Sequence, residues 1–242
     1  MITNIQPKKV YECDFTSNFV YPDCTYVSYK GKNFIYVEEV TPENRRLVIR
    51  NRVSEVKNPR RSTVDDLIIQ LGNCLFPISF LLDADGNVLE IENFEEVRNR
   101  RVTKSKELAS QYPTTEFKKY LEISMMNFED EPTLRKKLSY DTFLQVIVPA
   151  LHRSPFFRFH IENFPRKMIR TSFRLKEEKV EPDHVVYRVA PMFPSFDGGR
   201  EEGEAELYEK DGLFYGFKGM FSVIDSEGNR TQKGIVIQME EE

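Results

Sequence analysis

The residues able to do chemistry are few and scattered. His152, His160 and His184 fall in different segments of the chain, so a metal site or a general base would need the fold to bring one of them to a carboxylate. His160 alternates with Phe157, Phe159 and Ile161, which on a strand turns it outward. Asp83-Ala84-Asp85-Gly86-Asn87 opens like a calcium loop, but Phe94 stands where the closing bidentate Glu belongs, and a hairpin turn accounts for every residue of it. Asp197-Gly198-Gly199-Arg200-Glu201-Glu202 has glycines that could approach a phosphate, yet no helix N-terminus follows to donate amides, so a hairpin connection is the better reading. The basic run Arg98-Asn99-Arg100-Arg101, with Lys104 and Lys106, could take an acidic partner. Helical spacing spreads it around the cylinder beside Glu95, Glu96 and Glu107, which favours a solvated face with pairs such as Glu96–Arg100. Cys13, Cys24 and Cys74 match no metal spacing. They read as small buried hydrophobes, with a Cys13–Cys24 bridge as the alternative in an exported protein.

Binding is better represented than catalysis. Pro155-Phe156-Phe157-Arg158-Phe159 and Phe214-Tyr215-Gly216-Phe217 put bulky rings at neighbouring strand positions. Neighbouring positions face opposite sides of a sheet, so one layer of helices cannot bury them all. Phe156, Phe157, Phe159, Phe214, Tyr215 and Phe217 are therefore the expected contacts to a partner or ligand. The alternative is burial on both faces as core.

Composition narrows the classes further. Aromatics at 12% and hydrophobics at 40% of 242 residues supply a real core, and a net charge of −4 with mixed signs argues against disorder. A sequence pI of about 5.7 lacks the basic surface that sequence-independent nucleic-acid binding needs. The longest apolar stretch, Leu75–Leu82, holds Pro77 and Ser79 and falls far short of the roughly 20 residues that span a bilayer. No apolar run follows the first positive charges, so no secretory signal is visible and a cytoplasmic location is the expectation.

Around these residues the elements fall in the order strands, helices, strands. Val10–Thr16, Thr25–Tyr29, Phe34–Val40 and Leu47–Val56 alternate apolar and polar residues, with a tight turn expected at Lys30-Gly31-Lys32-Asn33 and a break at Thr41–Asn44. In the fourth, Val48, Arg50 and Arg52 should share the wet face opposite Leu47, Ile49, Asn51 and Val53. A short helix capped by Thr63 stops near Gly72, and Pro77–Leu82 and Asn87–Glu92 form a hairpin around Asp83–Gly86. Asn93 with Glu96 reads as a capping box opening a helix to about Tyr112. Thr114 or Thr115 caps the next helix, and Asp130-Glu131-Pro132 starts a third that carries Leu134, Leu138, Phe143 and Val146–Ile147 to Pro149. Strands follow at Phe156–Glu162, Met168–Leu175, His184–Val189, Gly203–Glu209, Leu213–Ile224 and Gly234–Met239. Turns are expected at Asp211-Gly212 and Ser226–Asn229, and a loop at Ser195–Gly203. The fold expected is α+β: a single domain in which one antiparallel sheet, built from both ends of the chain as a curved half-barrel, surrounds a central helical segment.

The hairpin and helix start carry a resemblance. Asp83-Ala84-Asp85-Gly86, the strand Val88–Ile91, Asn93-Phe94-Glu95-Glu96-Val97-Arg98-Asn99-Arg100 and Asp141-Thr142-Phe143-Leu144 make the segment Phe80–Phe143 resemble uncharacterised proteins of the Bacteroidota group. Those proteins share a D-x-x-G turn, an N-x-x-E-x-x-R helix start and a D-x-F-L. Here Glu96 is one place off, and Arg101 replaces an aromatic. The resemblance covers about a quarter of the chain. It implies no assigned activity; some such proteins are associated with contractile secretion machinery, which would make this chain an accessory or structural component of a bacterial multiprotein complex.

With no catalytic constellation or cofactor motif, the first expectation is a non-enzymatic binding or assembly protein whose partner is another protein. The second is a carrier that holds an apolar small molecule in the curve of the sheet. An enzyme whose groups converge only in space is the third.

Overall fold

A computed structural model describes residues 9–241 apart from 24, 42, 59–62, 84–85, 152–155, 163, 166–168, 182–183, 192–198 and 211–212. Among the described residues, eleven strands make one antiparallel sheet: β1 (Val10–Val20), β2 (Tyr26–Glu39), β3 (Arg45–Lys57), β4 (Ile78–Leu82), β5 (Val88–Ile91), β6 (Phe156–Glu162), β7 (Arg170–Val180), β8 (His184–Pro191), β9 (Arg200–Lys210), β10 (Leu213–Ile224) and β11 (Arg230–Glu241). Their order in the sheet is β5-β4-β3-β2-β1-β11-β10-β9-β8-β7-β6. Each half is thus a meander. The two are joined where β1 and β11, from opposite ends of the chain, pair from Tyr11↔Glu241 to Val20↔Gln232.

The edges β5 and β6 are linked through the helices: α2 (Phe94–Gln111), α3 (Thr115–Met125), a 3-10 turn (Met126–Phe128), α4 (Glu131–Leu138) and α5 (Thr142–Leu151). α1 (Thr63–Asn73) connects β3 to β4. A flat sheet of this width would hold its edges about 48 Å apart at a ~4.8 Å strand spacing. Residues of both edges line one cavity instead, so the sheet curls around the helices without closing into a barrel. The expected α+β class and antiparallel sheet are those observed.

Alternation decides which face is inside. Tyr11, Cys13 and Phe15 of β1, Ile35 and Val37 of β2, Leu47 and Ile49 of β3, Phe159 and Ile161 of β6, Phe173 and Leu175 of β7, and Ile235, Ile237 and Met239 of β11 are all buried. They share one core with Phe143, Leu144, Val146 and Ile147 of α5. Phe143 meets Phe15 edge to face at 6.0 Å. Gly219 is flat against the aromatics, since a Cβ there would lie 2.9 Å from the rings of Phe217 and Phe221. An outer cluster of Leu67, Leu71, Leu108, Phe117 and Leu121 binds α1, α2 and α3 to one another.

Several local expectations give way to tertiary pairing. Lys30–Asn33 is not a turn: it lies inside β2, with Gly31 opposite Phe15 and Asn33 opposite Cys13, because neighbours on both sides supply more backbone bonds than a turn would. Asn93 makes no side-chain cap on α2; its amide bridges β4, accepting from Ser79 N at 3.0 Å and donating to Pro77 O at 3.1 Å. The expected third helix is two, because Asp141 starts α5 afresh: its carboxylate accepts from Phe143 N and Leu144 N at 3.0 and 3.1 Å. α5 also continues past Pro149 to Leu151. The basic run is only partly solvated. Arg101 is buried, donating to Leu71 O at 2.7 Å and Ser124 Oγ at 2.9 Å, and Arg100 donates to the carbonyls of Cys74 and Leu75. Arg101 thus staples α2 to α1 and α3, and Arg100 staples it to the loop after α1. Glu96 and Arg100 do pair, at 3.9 Å.

Two hairpins use the same D-x-x-G-N turn. Asp83 accepts from Asn87 N and Nδ2, both at 2.8 Å, and Asp225 accepts from Asn229 N at 2.8 Å and Nδ2 at 3.0 Å. The positive φ of 86° at Gly86 and 85° at Gly228 is what each turn requires.

Candidate functional site

The two sheet edges do not meet, and what stands between them defines the principal site. α4 and α5 fill the seam and satisfy each edge with side chains. On β5, Glu131 accepts from Ile91 N at 2.8 Å, and the Arg135 guanidinium donates to the carbonyls of Val88 and Leu89. On β6, Gln145 acts as a one-residue strand: Oε1 accepts from His160 N at 2.6 Å and Nε2 donates to His160 O at 2.9 Å. Edge groups that would otherwise recruit another strand are thereby occupied.

Above these contacts lies a cleft of about 620 Å³, within the size range of small-molecule sites. Its apolar wall is Phe80, Val88, Leu138, Leu144 and Val148, and its polar side carries Arg135, Lys136, Arg158, His160, Tyr140 and Gln145. No carboxylate is among the described lining residues, whereas three cations are. Arg135 is partly neutralised by Glu131 at 3.3 Å. Lys136 and Arg158 are exposed and form no ion pair among the described residues. Arg158 lies directly across from Arg174 of β7, which adds like charge to this end of the sheet.

His160 belongs to this cleft. Its Nδ1 lies 2.8 Å from Ser172 Oγ, and Tyr140 meets its ring edge-on at 5.9 Å. Burial, then the positive charges of Arg170 and Arg158, hold its pKa below the ordinary imidazole range, so the ring is neutral at pH 7. The His160–Ser172 pair is a nucleophile and base by residue type. The charges that act on the ring are arginines rather than an orienting carboxylate, which is opposite to what activation requires. What the cleft offers is attraction for an anion over an apolar surface.

A second cavity, about 290 Å³, opens on the inner face between α1 and the start of α5. At its base is Lys233, 5% exposed, whose Nζ donates to Thr142 Oγ1 at 3.1 Å and lies 4.8 Å from the centre of the Phe19 ring. Arg52 reaches the same cavity only because β3 carries an extra residue: Asn33↔Arg52 follows Ile35↔Ile49, so three steps on β3 match two on β2. The bulge reverses the alternation and turns Arg52 inward, against the wet face expected for it. There its guanidinium packs over Phe15 and Phe76 and pairs with Asp141 at 3.2 Å. Next to it Asn33, 1% exposed, has no hydrogen-bond partner on Oδ1 or Nδ2 among the described residues. The adjoining void of about 20 Å³ has room for a single water.

Burial depresses the Lys233 pKa to about 8 from 10.5, with the Asp141 charge opposing the shift. Below pH 8 the ammonium is charged in both states, and folding bears the full cost of desolvating it. Between pH 8 and 10.5 the unfolded chain holds the proton more tightly, so stability rises with pH. Lys233→Met should therefore stabilise the protein at pH 7 by roughly 1–3 kcal/mol and abolish this rise. Urea denaturation at pH 7, 8, 9 and 10 measures both; a Met variant less stable than the parent at pH 7 would contradict the assignment.

The aromatic residues expected to meet a partner are not gathered on one surface. Phe159, Phe214 and Phe217 are buried in the core, with Phe159 stacked on Phe221 at 4.8 Å. A register shift between Phe214 and Gly216 lets Phe214 and Phe217 share the inner face. Tyr215, 37% exposed, packs against Tyr208 at 5.9 Å. The backbones of Phe156 and Phe157 lie in β6, and their side chains are outside the described residues. So are His152, Cys24, the His184 side chain, and the turn at Asp211-Gly212. Cys13 is a free thiol buried in the core, with its pKa raised by burial. Among the described residues no three potential ligands gather into a metal site, and no helix is long and apolar enough to cross a membrane.

Lys233, Arg52, Gln145 and Lys136 drew no notice in the sequence as site residues. For Lys233 a signal existed: it alternates in phase with Ile235, Ile237 and Met239, which places it on the buried face. The others depend on a bulge or on the docking of α4 and α5. The sequence matches no protein-family model and no curated protein.

Proposed function

We propose that this chain is a non-enzymatic binding protein, and that the seam cleft takes its ligand: a molecule with an apolar body and an anionic head. One observation carries the reading. The seam cleft has an apolar wall and a cationic rim, with no described carboxylate on it. The apolar body would rest against Val88, Leu138, Leu144 and Val148, while Lys136 and Arg158 attract the head. The inner curve of the sheet, where a wholly apolar ligand was expected, is packed by Phe143, Val146 and Ile147 of α5, and this favours an amphiphile at the seam instead. Decanoate and its neutral counterpart decanol serve as probes. Decanoate should bind more tightly at low salt, and Arg158→Glu or Lys136→Glu should weaken it by about tenfold while leaving decanol unchanged. Equal binding of both probes, or variants without effect, would remove the anionic head from the proposal.

Attachment to a larger assembly is the second reading. It is favoured by α3, which exposes Ile123 (57%) and, at its C-cap, Met126 (58%), one turn apart and beside half-exposed Tyr120. This is also the direction in which the resemblance of Phe80–Phe143 points.

A further inference from the structure

We propose that the cavity between α1 and α5 is a second, separate binding site, selective for a small aromatic carboxylate held by Lys233. Three features point to that chemistry. The Lys233 ammonium has three N–H donors, and the side-chain acceptor it meets is the Thr142 hydroxyl. Its other close neighbour is the face of Phe19. A buried ammonium so placed has hydrogen-bonding capacity left for a carboxylate oxygen.

The charges around it are unbalanced in the same sense. Lys30, Arg52 and Lys233 line the cavity, and Asp141 is the one carboxylate among the described lining residues. Asp141 is already engaged by Arg52 and by two amides of α5. An incoming monoanion would therefore reduce the excess of positive charge rather than compete with an existing partner.

The shape supplies the remaining selectivity. About 290 Å³ suits a single ring with a short acidic arm and is too small for a long-chain amphiphile. Phe19 and Tyr29, edge to face at 6.2 Å, offer the ligand ring aromatic surface. Gly31 stands opposite Phe15 and brings no side chain into the space.

Benzoate, its neutral isostere benzamide, and acetate test the proposal on the full chain by amide NMR. Benzoate is expected to shift the amides of Tyr29, Thr142, Phe143 and Lys233 saturably, with acetate and benzamide each much weaker. Lys233→Met should lower benzoate affinity by roughly ten- to a hundredfold and leave decanoate at the seam unaffected, so the two sites succeed or fail separately. In the unsubstituted protein, saturation with benzoate should raise the pKa of the Lys233 ammonium by about one unit or more, the equivalent of tenfold coupling. This readout needs no variant to fold. Benzamide binding as well as benzoate, benzoate binding unchanged by Lys233→Met, or a Lys233 titration that benzoate does not move would each overturn the proposal. Acetate equal to benzoate would reduce it to an adventitious anion.

Discussion

A fragment lacking residues 1–56 is expected not to fold. The reason is topological: β1 is the strand that joins the two meanders, and its pairing with β11 runs from Tyr11↔Glu241 to Val20↔Gln232. Its removal with β2 and most of β3 exposes the full edge of β11 and takes Tyr11, Cys13, Phe15, Ile35, Val37, Leu47 and Ile49 out of the core. β4 and β5 would be left as an isolated hairpin, which is marginal in water. Circular dichroism and thermal melting of residues 57–242 provide the measurement. A cooperative transition at the temperature of the full chain would mean two independent units and would refute the continuous sheet.

Phe221→Ala is the single substitution with the largest expected effect on stability. Phe221 is fully buried, stacks on Phe159 at 4.8 Å, and lies 5.1 Å from Phe173. It thereby ties β10 to β7 and β6, three and four places away in the sheet. Truncation leaves a cavity that the surrounding strands cannot collapse to fill, at a cost of about 3–5 kcal/mol. The denaturation midpoint should fall at an unchanged m-value. A loss below about 1 kcal/mol would mean that β10 does not share this aromatic core with β6 and β7.

Much of the fold was legible because alternation is a local signal. The antiparallel strands, the hairpin around Asp83–Gly86, and the cap of α3 by Thr114 all follow from residue types and spacing. The misreadings have particular causes. Lys30-Gly31-Lys32-Asn33 has turn composition, but β1 and β3 pair with it on both sides and hold it extended. Arg52 was assigned to the wet face by strict alternation, and one inserted residue on β3 moved it to the other. Phe214 and Phe217, three positions apart, would face opposite sides under strict alternation, and another register shift brings them to the same side.

The sites were less legible than the fold, for the same reason. The seam cleft depends on an eleven-stranded sheet curling until Val88 and Arg158, seventy positions apart in sequence, line one cavity. Gln145 and Arg135 act on edges that exist only once α4 and α5 have docked. Lys233 alone could have been found early, because a lysine in the apolar phase of Ile235 and Ile237 is a buried lysine.

The central claim is that the seam cleft between β5 and β6 binds an amphiphilic anion. Its most direct test is NMR with a spin-labelled fatty acid added to the full chain. The account predicts paramagnetic broadening confined to amides around the cleft, above all Val88, Leu144, Val148 and His160, reversed by decanoate and weakened by Arg158→Glu. Broadening centred on Tyr215 and Met220 instead, or none at any ligand concentration below the onset of micelles, would contradict it.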